Sequence, residues 1–207
     1  MTDRHATVFL VDDDPSVRRG LTRLIKSAGH QVQTFASARE FLETFPQSRD
    51  PGCLVLDVRM PGLTGLDLQQ ELQKTKTVLP IIFITGHGDI PTTVKAMKDG
   101  AVDFLPKPVQ DTDLLRAIQQ ALVRGARDRA ERAELENIQS RAQTLTPRER
   151  EVMELVTKGL LNKQIASELG TVEKTIKVHR ARVMRKMQVK SLAELVRLTA
   201  RWGIGKA

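Results

Sequence analysis

TVFLVDDDPSVRRGLTRLIKSAG, residues 7–29, decides the fold. It opens on an apolar run, Val8–Val11, breaks into the acids Asp12-Asp13-Asp14, and resumes after Pro15 with Val17, Leu21, Leu24 and Ile25 at helical spacing until Gly29. A short apolar run without alternation reads as a strand buried on both faces, and the 3.6-residue period after it as an amphipathic helix. The pair predicts a strand over Thr7–Val11 and a helix over Pro15–Ala28. Asp14, directly before Pro15, is the better helix cap. Asp12 and Asp13 are then consecutive acids at the end of a buried strand, a costly placement without a metal ion or a cationic partner.

The same unit recurs outward from there. Strands are predicted at Gln31–Phe35, Cys53–Val58, Pro80–Ile84 and Val102–Leu105, alternating with helices at Ala38–Phe45, Leu66–Gln73, Pro91–Lys98 and from Asp111. No hairpin signal interrupts the series, so the pattern is a doubly wound, five-stranded parallel sheet with helices on both faces. Ligands of such sheets bind beyond the carboxyl ends of the strands. Those ends carry Asp12 and Asp13, Asp57, Thr85 and Lys107. Acids, a hydroxyl and an ammonium at one edge make a site for a divalent cation and a phosphoryl group. The turn chemistry of Met60-Pro61-Gly62 and Gly65 sets Asp57 at a strand end rather than in a solvated turn. His87, in the Gly86–Gly88 loop, is read as exposed and without a role.

Charge divides the chain. Residues 1–122 hold 14 Lys+Arg against 15 Asp+Glu, residues 123–144 hold 5 against 4, and residues 145–207 hold 14 against 6. A basic excess confined to the tail points to a polyanion, nucleic acid foremost. The single cysteine, Cys53, cannot form an internal disulfide. With no leader and no apolar run of membrane-span length, the expectation is a cytoplasmic, soluble protein without membrane contact.

The tail reads as four short helices. Thr146-Pro147-Arg148-Glu149 starts the first, which turns Val152, Met153, Leu155 and Val156 inward and stops at Gly159. Asn162 is expected to cap the second, which carries Ile165, Ala166 and Leu169 and ends at Gly170. The third, Glu173–Met187, has Ile176, Val183 and Met187 as its inward stripe and Lys174, Lys177, Val178, Ala181 and Arg185 opposite. Helix, tight turn and basic-faced helix are what the DNA major groove accepts. The last helix, Leu192–Trp202, closes a small core with Leu192, Leu195, Val196 and Leu198. Between the domains, ARDRAERAELENIQSRAQ offers i,i+4 pairs such as Arg132–Glu136 and reads as a solvated helix with Gly125 as a weak point. Domain bounds are expected at 1–123, 124–142 and 143–207.

Two sets of motifs carry a family resemblance. FLVDDDPSVR, LVLDVRMPGLTG, IFITGHGD and AVDFLPKP, in order, resemble the flavodoxin-like receiver domain of two-component response regulators. LTPREREVMELVTKGLLNKQIASELG, TIKVHRARVMRKM and SLAELV resemble the all-α, four-helix LuxR-type helix-turn-helix domain of the NarL/FixJ class, in its FixJ/TodT/StyR-like branch. The resemblance implies that Asp57 accepts a phosphoryl group from a sensor histidine kinase. Asp12, Asp13, Asp57 and the Arg59 main-chain carbonyl would hold Mg²⁺, with Mn²⁺ able to substitute. Lys107 would pair with the phosphoryl oxygens, Thr85 would donate to them, and Phe104 would swing inward behind Thr85. A cis Lys107–Pro108 bond is implied as well. In the tail, Lys177, Val178 and Ala181 would face bases, and Lys163, Thr175, His179 and Arg182 would serve phosphates or support. The implied partners are promoter DNA, RNA polymerase and a second copy on phosphorylation. The implied function is transcription control, activation foremost, with no enzymatic activity beyond the receiver's own phosphotransfer and slow dephosphorylation.

Three other readings compete. A Mg²⁺-dependent phosphohydrolase would need an acid two residues after the nucleophile, where this chain has Arg59. A DNA-binding protein indifferent to phosphate would bind its operator equally with Asp57 replaced. RNA binding is disfavoured by a tail with one Trp and no aromatic platform.

Overall fold

The structure, a computed structural model, describes residues 6–45, 51–75, 77–86 and 90–203. His87 lies outside the described residues. The chain forms two compact units, Met1–Arg129 and Ala130–Ala207.

The first unit is built on strands β1 (Thr7–Val11), β2 (Gln31–Phe35), β3 (Gly52–Asp57), β4 (Ile81–Thr85) and β5 (Asp103–Pro106). All four pairings are parallel, in the order β2-β1-β3-β4-β5. Helices α1 (Pro15–Ser27), α2 (Ala38–Thr44), α3 (Gly65–Lys74) and α4 (Ile90–Lys98) and the start of α5 (Asp111–Gln143) alternate with them. Strand side chains alternate between two cores. Phe9, Leu54, Leu56 and Phe83 pack with Phe41 and Leu68 on one face. Val8, Leu10, Val55, Ile82 and Ile84 pack with Ile25, Leu114 and Ile118 on the other. Burial on both faces explains why β1, β3 and β4 read as unbroken apolar runs, while β2, at the edge, does not.

β1 and β2 have the expected bounds, while β3, β4 and β5 are each shifted by one residue, because the ladder and not hydrophobicity sets strand ends. Gly52 pairs with Thr7, and Thr85 pairs with Pro106. Gly52 has a second reason to be glycine: an added Cβ would lie 2.1 Å from the Thr7 carbonyl oxygen.

Helix α5 is 33 residues long and runs through the stretch read as a solvated connector. Its first half packs Leu114, Ala117, Ile118 and Ala121 on the sheet, and Ile138 and Ala142 near its end belong to the core of the second unit. Gly125 does not interrupt it. A Cβ there would meet the Pro80 ring at 2.9 Å, so glycine permits the helix to approach.

The second unit consists of the end of α5 with α6 (Pro147–Thr157), α7 (Asn162–Glu168), α8 (Glu173–Lys186) and α9 (Leu192–Trp202). Its core gathers Val152, Met153 and Val156 from α6, Ile165 from α7, Ile176 and Val183 from α8, Met187 and Leu195. The stripe expected on the third helix is therefore the buried one. Two expectations are corrected. The cap of α7 is Leu161, whose amide donates to the Gln164 side chain at 2.8 Å. Asn162 instead accepts from Arg180 Nη1 at 3.1 Å, a tertiary bond that displaces the cap. Val196 is only half-buried and lies outside the core cluster, since α9 turns Leu195 and Thr199 inward.

Candidate functional site

Asp12, Asp13 and Asp57 meet at the carboxyl ends of β1 and β3, with ligand oxygens all within 4.8 Å of one another. Asp12 is fully buried and Asp57 nearly so, while Asp13 is exposed. Asp14 stands apart: it caps α1, accepting from the amides of Ser16 at 2.7 Å and Val17 at 3.4 Å. Those amides hold its carboxyl below the usual carboxylate range.

Lys107 follows β5 directly, its amide donating to the Thr85 carbonyl at 2.7 Å. Its Nζ donates to Asp12 Oδ2 and Asp57 Oδ2, both at 2.6 Å. Burial works against the ammonium, but the two carboxylates outweigh it and hold its pKa above the ordinary lysine value. Burial, with Asp57 adding to it, leaves the Asp12 carboxyl above the usual range in spite of Lys107 and the Asp14 amide. One ammonium among three carboxylates leaves negative charge in a largely buried pocket. That donor set suits a hard divalent cation, which takes a few carboxylates and keeps waters.

Asp57 is aimed by the turn that follows it. The Arg59 amide donates to Asp57 Oδ1 at 3.2 Å, and the Gly65 amide to the Val58 carbonyl at 3.0 Å. Gly62 adopts φ +80, and a Cβ on Gly65 would stand 2.2 Å from the Asp57 carbonyl oxygen. The turn glycines thus serve two needs, a positive φ and a close backbone approach. Thr85 ends β4 and is buried; Phe104, half-buried on β5, lies with its ring 6.1 Å from that of Phe83. The Lys107–Pro108 bond is cis.

In the second unit, α7, the turn at Gly170 (φ +63) and α8 form a helix-turn-helix. Lys174, Lys177, Val178, Ala181, Arg182 and Arg185 are exposed on α8, as is Lys163 on α7. Lys177 pairs with Glu173 at 3.2 Å. Thr175 and His179 are half-buried, and His179 Nδ1 is enclosed without a hydrogen-bond partner. Lys174, Val178, Ala181 and Arg185 share one line along the helix, so two small apolar side chains sit between two cations.

Comparison with known proteins agrees with both halves. Residues 8–119 match the family described as the response regulator receiver domain, and residues 143–199 match the luxR family of bacterial regulatory proteins. The chain belongs to the two-component response regulators. Nodulation protein W of Bradyrhizobium diazoefficiens is 53% identical over 200 residues, covering 96% of this chain and 87% of that protein. Transcriptional regulatory protein FixJ of Rhizobium meliloti is 44% identical over 205 residues, 99% of each. The solved structure of response regulator StyR, 50% identical, superposes with a TM-score of 0.84 over 95% of this chain and 99% of that one.

A response regulator of this composition implies a sensor kinase as the receiver's partner and DNA as the tail's. Among the described residues no helix is long and apolar enough to cross a membrane. Three side chains carry bonds that sequence patterns do not display, one to a nearby main-chain oxygen and two to partners far along the chain. Arg18 donates from α1 to the Asp12 carbonyl at 2.5 Å. Lys186 and Arg180 are half-buried cations of α8 that stand outside the basic face read from the sequence. Lys186 binds Glu149 at 2.6 Å and the Thr144 carbonyl at 2.8 Å, and Arg180 binds Asn162. The Thr146–Glu149 capping box, visible in sequence, was the only hint that Glu149 is committed to structure.

Proposed function

We propose that this response regulator is a transcription factor switched by phosphorylation of Asp57. The observation that carries the reading is the meeting of Asp12, Asp13, Asp57 and Lys107 at one sheet edge, in a chain whose tail presents a cationic helix-turn-helix. Asp57 attacks the phosphorus of a phosphohistidine on the kinase, forming a P–O bond as the P–N bond breaks. The chain's contribution is position and charge. The Arg59 amide and Lys107 hold the two carboxylate oxygens of Asp57, and Lys107 stays to pair with the arriving phosphoryl oxygens. Asp12, Asp13, Asp57 and the Arg59 carbonyl would hold Mg²⁺ or Mn²⁺, and the ion would supply neutralisation of phosphoryl charge there.

Thr85 then donates to the phosphoryl group and Phe104 moves inward behind it, altering the surface around β5 and α4. The altered face favours a homodimer that grips a two-half-site operator. In each copy α8 enters the major groove. Lys177, Val178 and Ala181 face bases there, Lys174 and Arg185 flank them, and Lys163, Thr175, His179 and Arg182 contact or support contacts to phosphates. The bound dimer contacts RNA polymerase and activates transcription. Acetyl phosphate with Mg²⁺ is expected to label the wild type and not Asp57→Asn. Full Mg²⁺-dependent labelling of Asp57→Asn would overturn the assignment.

A further inference from the structure

We infer that Arg18 is a positioning residue for the divalent-cation site, acting through the main chain of Asp12; this rests on the reading of the acidic cluster as that site. Every polar atom of Asp12 has a partner. Its amide donates to the Phe35 carbonyl at 3.3 Å, Oδ1 accepts from the Asp14 amide at 2.8 Å, and Oδ2 accepts from Lys107 at 2.6 Å. The remaining atom, the carbonyl oxygen, accepts from Arg18 Nη1 at 2.5 Å. With Arg18 in place Asp12 is fully buried, so the half-buried guanidinium both bonds to that oxygen and helps to cover it.

The placement of Arg18 runs against local preference. It closes the first turn of α1, its amide making the helix bond to Asp14, and that turn holds no acid. A cation near a helix N-terminus opposes the macrodipole. Residues that break a local rule in this way mark functional constraint. Here the constraint is geometric. Asp12 and Asp13 leave β1 through a turn whose outer end is fixed by the Asp14 cap. The guanidinium ties the inner end of that turn to α1 through the main chain, whereas Lys107 takes up a carboxylate oxygen itself. Arg18 therefore fixes the direction of both acids while leaving their oxygens to a cation. Such outer groups orient metal ligands, and their loss weakens binding although no ligand has been touched.

The test is a Mn²⁺ titration of the full chain, followed by the paramagnetic resonance signal of the free ion. Arg18→Ala is expected to weaken the dissociation constant about tenfold while stoichiometry stays that of the wild type. Arg18→Lys, which can supply one donor to the same carbonyl, is expected to fall between them. The Mg²⁺ concentration that half-saturates acetyl-phosphate labelling should rise in parallel, with the plateau recovered at high Mg²⁺. A purely structural role would lower the folded fraction, hence the stoichiometry and plateau, and leave the midpoint in place; that result overturns the proposal. Asp13→Asn serves as reference. If it loses Mn²⁺ affinity and Arg18→Ala does not, the Arg18 assignment alone fails. If wild type and Asp13→Asn are indistinguishable, the cation site itself fails and the Arg18 assignment with it.

Discussion

Single residues decide whether Asp57 can act. Gly65 is the sharpest case, because a methyl group there would stand 2.2 Å from the Asp57 carbonyl oxygen. Gly65→Ala is expected to lower stability by roughly 1–3 kcal/mol, the usual cost of overpacking, and to reduce labelling beyond that loss because the acceptor moves. Denaturant unfolding and acetyl-phosphate labelling of the variant check the two parts separately. The cation itself should stabilise the fold by mass action. At one hundred times its dissociation constant, a ligand bound only to the native state adds about 2.7 kcal/mol, so chelation should lower the melting temperature of the wild type and leave Asp13→Asn nearly unmoved. The sequence displayed the acids, Lys107 and the turn glycines because each follows a recognisable strand or turn. It did not display Arg18, whose partner is a main-chain oxygen and leaves no pattern in side-chain chemistry.

At the scale of elements, α8, the second helix of the helix-turn-helix, is fastened to its neighbours by charged side chains. Lys186 on α8 joins the start of α6 through Glu149 and the Thr144 carbonyl, and Arg141 near the end of α5 donates to the Met187 carbonyl at 3.3 Å. Glu149 is buried, and burial alone would raise its pKa. Lys186 and the Thr146 amide outweigh that and hold it below the usual carboxylate value. A depressed folded pKa means the stabilisation is complete above the unfolded value and is lost as pH falls through the folded one. Acid should therefore loosen α6 and α8 below the ordinary glutamate range. Glu149→Gln should remove about 1.5–3 kcal/mol at neutral pH and blunt that acid dependence. Hydrogen exchange of the α6 and α8 amides against pH is the measurement. Sequence periodicity found all four helices of the tail because their apolar stripes are strong. It misjudged the α7 cap because Asn162 is a good cap by type, and the competing bond to Arg180 is tertiary.

For the whole molecule, the Asp12, Asp13, Asp57 and Lys107 cluster and the helix-turn-helix are carried by separate compact units, with α5 contributing to the core of each. The division was legible in sequence as a charge asymmetry and two motif sets. The connector read as a solvated helix is helical as part of α5, and Gly125, expected as a weak point, lies within the helix close to the Pro80 ring. On DNA, the two kinds of contact are separable. Lys163→Ala should weaken binding evenly across sequences and reduce the salt slope by about one, whereas Val178→Ala should change base preference and leave the slope in place. Binding of promoter fragments at several salt concentrations distinguishes them. The central claim, that phosphate on Asp57 controls DNA binding, is tested most directly by fluorescence anisotropy of a cognate promoter fragment with wild type and Asp57→Asn, each with and without acetyl phosphate and Mg²⁺. The account predicts that the phosphodonor tightens wild-type binding tenfold or more, about 1.4 kcal/mol, and leaves Asp57→Asn at the unphosphorylated level. Equal affinity in all four conditions would contradict it.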